Sequence, residues 1–263
     1  LTLLPAAAMA ANEVTDVTSP EALDQAVSQA DGETIIQLAG DITLDESLAI
    51  PAGKTITLDL NGHTLSISTG GDVIDNSGSL TVKNGTVAAR DDGANTAGMA
   101  VDNGTAEDHT PVLTVLQDEG FQTRLIGRSG IQNYGTATVY GGTVESYNRN
   151  AYYGGLGSTL TVHDGVFTSP TGSSGYGRAV SASGDVNIYG GSFFSGGTSG
   201  AGDNYMNAIG MFDGAVLIIR PAEGKTVNVT SATDYAVASR SGGQVYIYGG
   251  SFACSGDRVD ILN

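Results

Sequence analysis

The chain has 263 residues, enough for one elongated domain with a continuous core. Its 39 glycines, absent tryptophan and 15% charged residues favour short strands and turns over helices. Eleven Lys and Arg face 28 Asp and Glu, a formal net charge of −17, so the surrounding field repels nucleic-acid phosphates and anionic lipid and argues against both as partners. No run approaches the ~20 apolar residues of a membrane-spanning helix, and a single cysteine, Cys254, excludes an internal disulfide.

In chain order, the first residues form a short apolar run ending in Ala8-Met9-Ala10, the small-residue pattern that precedes signal-peptidase cleavage. Residues 1–10 therefore read as the remnant of a signal peptide and imply a secreted, extracellular or cell-surface protein. Residues 11–32 read as an N-terminal segment and capping helix. Ser19 is the expected N-cap and Pro20 the first helical residue, with Glu21 in the first turn, Leu23, Val27 and Ala30 on one face, and Gly32 as the stop.

Residues 33–263 carry a degenerate repeat. Leu60-Asn61-Gly62-His63-Thr64-Leu65 aligns with Val82-Lys83-Asn84-Gly85-Thr86-Val87, with VYGGTV from Val139, VHDGVF from Val162, and IYGGSF from Ile188 and again from Ile247. VLQDEGF from Val115 and IIRPAEG from Ile218 are weaker members, and the first positions recur every 22 to 33 residues. That period, with strand chemistry, is the signature of a β-solenoid. Alternation sets the faces: Leu80 and Val82 point inward, Thr81 and Lys83 outward.

A second strand precedes each repeat, as VIDN from Val73, AVDN from Ala100, GIQN from Gly130, AVSA from Ala179 and YAVAS from Tyr235. Asn76, Asn103 and Asn133 align at one turn as a side-chain ladder, with Ala182 and Ser239 in later coils. Val87, Val144, Phe167, Phe193 and Phe252 form an inward apolar stack. The expected fold is all-β: a right-handed parallel β-helix of about nine coils with a short N-terminal capping helix. The last residues carry no polar cap, which suggests that the protein continues into a longer chain.

With PAGKTITLDLNGHTLSI from Pro51 and the recurring YGGSF segments, the chain resembles the pectate-lyase-like right-handed parallel β-helix superfamily. More narrowly, it is similar to β-helix domains of surface proteins from Gram-positive gut bacteria. The resemblance implies the scaffold, whereas the superfamily's activities span lyases, hydrolases, esterases and adhesins. Asp91-Asp92-Gly93 resembles the paired-aspartate motif of polygalacturonases, but the Gly-His-Gly and Arg-Ile-Lys segments have no counterpart.

As an enzyme, the chain would be a polysaccharide lyase or glycoside hydrolase using Asp91, Asp92 and Asp102. Asp75 and Asp102 hold the outward place before the asparagine ladder in consecutive coils, about 5 Å apart. With Asp91 and Asp92 they make an oxygen-rich set suited to Ca²⁺, the only cofactor suggested. The histidines His63, His109 and His163 lack zinc-site spacing.

A binding surface has better candidates. An outward row runs through Asn61, Lys83, Leu116, Tyr140, His163, Tyr189, Ile219 and Tyr248, and loops add Tyr147, Tyr152, Tyr153, Tyr176 and Tyr205 with Arg149, Arg178 and Asp203. Tyrosine offers an apolar face and a hydroxyl, as sugars require. The candidate ligand set is Tyr140, Tyr152, Tyr153, Tyr176, Tyr189, Tyr205, Arg149 and Arg178. The expectation is an adhesion or carbohydrate-binding module without catalysis, whose partner is a glycan or a host or cell-surface ligand, ahead of a carbohydrate-active enzyme and an inert stalk.

Overall fold

A computed structural model of the chain describes residues 12–91, 97–170, 177–197, 207–233, 235–255 and 261–262. These residues form a right-handed parallel β-helix of about nine coils, with one ten-stranded and two nine-stranded sheets. A coil runs through the first sheet, for example Ser79–Lys83, then the second, Thr86–Ala88, then the third, Val101–Asn103. Short apolar-polar alternation, broken by Gly-rich bends, is why the chain turns three times per coil instead of forming helices.

The N-terminal end departs from a bare cap. Strand β1 (Asn12–Val17) pairs in parallel with β2 (Glu33–Leu38), Asn12 opposite Thr34, and extends the first sheet by one strand. Its exposed Glu13, Thr15 and Asp16 give no alternating apolar signal, so it was not expected. Between them lies α1 (Pro20–Gln29), where the Ser19 hydroxyl accepts from the Ala22 amide at 3.2 Å and Leu23, Ala26 and Val27 are buried. Lys54 closes the other end by donating to the carbonyls of Ser28 at 3.0 Å and Ala30 at 2.5 Å, where a cation meets the negative end of the helix dipole.

The core is a set of inward columns. Val87, Leu125, Val144, Phe167, Phe193, Val229 and Phe252 are register partners across the second sheet, and the Phe167 and Phe193 rings stack at 5.2 Å. The asparagine ladder forms as expected: Asn76 donates to Asn103 at 2.6 Å, and Asn103 to Asn133 at 2.6 Å.

Two assignments need correction. Tyr152 is no loop residue offering a ring to a ligand; it is fully buried on the strand Tyr152–Gly154, an uninterrupted part of the third sheet. Its hydroxyl accepts from Asn133 Nδ2 at 2.8 Å and ends the ladder, and burial pushes the phenol up to about 12. Gly154 takes the next ladder position because a Cβ there would come within 3.0 Å of the Tyr152 ring and hydroxyl. Ile219, expected outward, is core: it pairs with Ile188 and Ile247, so Arg220 stands on the surface. Ile218 and Ile219 are both apolar, so alternation alone did not set the phase, and a one-residue slip exchanges the two faces.

Candidate functional site

The outward column of the third sheet gathers the polar chemistry. Parallel register places Asp75, Asp102, Gln132, Tyr153 and Ser181 side by side in five successive coils. Each belongs to a three-residue strand whose flanking residues point into the core, so the pleat forces the central side chain outward.

At one end of this column lie three carboxylates. One oxygen each from Asp72, Asp75 and Asp102 fall within 4.8 Å of one another. The expected pairing of Asp75 with Asp102 holds, but the third member is Asp72 and not Asp91. Asp91 is exposed beyond the second-sheet strand Thr86–Ala88, where its charge acts on Tyr147. Asp92 lies outside the described residues. Asp72 is oriented by the Met99 amide, which donates to its Oδ1 at 2.6 Å. Three acids at this distance cannot all ionise without cost. Burial, then the Asp72 charge, raises Asp75, while burial and the Asp72 and Asp75 charges push Asp102 up to about 7 against a lowering hydrogen bond from Gln132. A proton on Asp102 thus relieves the repulsion near neutrality. An all-oxygen donor set of this kind suits a hard cation such as Ca²⁺ over Zn²⁺.

Beside the column opens a cleft of about 320 Å³, lined by Met99, Ser129, Gln132, Tyr134, Arg149, Asn150, Tyr153, Arg178 and Ser181. Three predicted ligand residues, Tyr153, Arg149 and Arg178, therefore meet. Arg178 is almost buried, its Nε donates to Asn207 Oδ1 at 3.3 Å, and its guanidinium lies 5.3 Å from the Phe212 ring centre. It crosses the sheet over Gly210, where any Cβ would come within 3.0 Å of its Cδ and Nε. Tyr134 meets Tyr153 edge to face at 6.4 Å, and a second hollow of about 270 Å³ on their far side includes His109, Leu156 and Asp213. His109 Nδ1 sits 2.6 Å from the Tyr134 carbonyl, bracing that wall.

Tyr140 and Tyr189 belong to a different surface, the bend between the first and second sheets. His163 is stacked between them, 4.5 Å from Tyr140 and 5.4 Å from Tyr189. Cross-coil stacking is their structural role. Tyr176 and Tyr205 lie outside the described residues, and Tyr147 spends its hydroxyl on the Ala89 carbonyl at 3.0 Å.

Asp72, Gln132, Tyr134 and Ser181 were missed. Gln132 was within reach, because GIQN aligns with the VDN carrying Asp102 and continues the same outward column. Tyr134 sits past its strand end, where alternation carries no signal.

Fold and site define a class: a right-handed parallel β-helix with a lateral polar and aromatic cleft on its third sheet. No family model, curated protein or solved structure gives a significant match to this chain.

Proposed function

We propose that the chain is a secreted or cell-surface glycan-binding module whose ligand lies in the third-sheet cleft. One observation carries this reading: Tyr153 and Tyr134 present aromatic surface in a cleft of about 320 Å³ that also holds Gln132, Arg149 and Arg178. Tyrosine rings take the apolar face of a sugar, while amide and guanidinium groups pair with its hydroxyls. The net charge of −17 favours a neutral or weakly basic glycan over a polyuronate. The apolar start ending at Ala10 supports export.

A second reading, glycoside hydrolysis, is favoured by Asp102, a carboxyl pushed up to about 7 beside two other carboxyls. Geometry weighs against it. Asp91, one of the three carboxylates expected to catalyse, stands exposed beyond the second-sheet strand and is not among the three carboxylates that meet, Asp72, Asp75 and Asp102. A glycan array beside a depolymerisation assay tests both readings: retention of a glycan without release of reducing ends or unsaturated products supports a binding module, and product release makes the chain an enzyme.

A further inference from the structure

The N-terminal end of the β-helix holds a second groove, about 370 Å³, between β1 and α1. Its walls mix small apolar residues, Val14 and Val17 on the strand, Ala22 and Ala26 on the helix and Ala30 at its C-cap, with polar ones such as Asn12, Asp16 and Asp31. At its floor lies Thr34, 1% exposed, whose hydroxyl has no hydrogen-bond partner among the described residues. Thr34 belongs to β2, so β1 stands between it and the free edge of the sheet. β1 is the outermost strand of the first sheet, and its outer edge has no strand partner among the described residues. A β-bulge, with Asp16 at φ 63°, bends the end of this edge and leaves Asn12 to Val14 in regular register.

Charge selects the occupant. Residues 12–53 contain no Lys or Arg, and Glu13, Asp16, Glu21, Asp24, Asp31 and Glu33 are all exposed around this end. The nearest cation in sequence, Lys54, is committed to the carbonyls at the end of α1. Such a surface repels a second copy of itself and attracts a cationic chain.

We propose that this end docks an extended basic segment of a partner protein. The segment adds a strand to the free edge of β1, and its alternate side chains, small ones, enter the groove. Threonine is small enough to sit against Val14, Ala22 and Ala26.

The test titrates the full chain with a fluorescent peptide alternating lysine and threonine. Saturable, salt-sensitive binding is expected, with none for the glutamate-threonine analogue. Ala22→Leu fills the groove without changing charge and should weaken binding at least about tenfold. Gln29→Trp, at the exposed rim, gives the same reading should Ala22→Leu fail to fold. Absence of binding overturns the proposal. So does binding untouched by the filling variants, which would be diffuse attraction to an acidic chain, and so does concentration-dependent self-association through this end.

Discussion

Gln132 donates through Nε2 to Oδ1 of Asp102 at 3.2 Å, tying the wall of the cleft to the acidic trio. The amide favours the ionised carboxylate, but burial and the neighbouring charges outweigh it. The cleft is thus braced by a group that changes charge near neutrality.

A stability profile follows from this imbalance. Asp102 titrates at about 7 when folded against an ordinary value of 3.8, so between these limits the native state holds more protons than the unfolded chain. Its contribution to stability therefore falls as pH rises through that window and is constant above it. Asp75, shifted in the same direction, adds to the trend. Thermal melts across the window should show the wild type losing ground to Asp102→Asn as pH rises. Parallel curves would mean that Asp102 keeps an ordinary pKa.

Tyr152→Phe isolates the end of the asparagine ladder. Asn133 retains acceptors in the carbonyls of Gly135 and Thr159, each at 3.1 Å, so losing the hydroxyl should cost only about 1 kcal/mol. Tyr152→Ala removes a fully buried ring and should cost about 3–5 kcal/mol. Chemical denaturation separates the two; a mild effect of Tyr152→Ala would place the ring on the surface.

Burial along one column predicts a gradient. Phe193 is 1% exposed, and Phe193→Ala should cost about 3–5 kcal/mol. Phe252, in the same column, is only partly buried in the last described coil, so Phe252→Ala should cost less. Tyr189→Ala on the outer surface should fall below about 1 kcal/mol. Equal losses at Phe193 and Tyr189 would invert the assigned faces.

Much of the scaffold was legible because it rests on local, repeated signals. Alternation in Leu80-Thr81-Val82, the aligned Asn76, Asn103 and Asn133, and the Ser19-Pro20-Glu21 start each express one physical preference. Legibility failed where those signals lapse. The strand Tyr152–Gly154 replaces its ladder asparagine with glycine, and Ile209–Met211 places Gly210 at the outward position, so neither announces itself. The cleft was harder still. Tyr134, Tyr153 and Arg178 meet only because coils of unequal length stack in register, and insertion length in a loop does not state where its side chains return.

The most direct measurement is a titration of the array-selected glycan into the wild type, Tyr153→Ala, Gln132→Ala and Tyr140→Ala. Binding should be weak, on the order of 0.1–1 mM, lost with Tyr153→Ala, reduced with Gln132→Ala and unchanged with Tyr140→Ala, since Tyr140 stands on the other bend. Loss with Tyr140→Ala while Tyr153→Ala still binds would contradict the account and move the ligand to the stacked row of Tyr140, His163 and Tyr189.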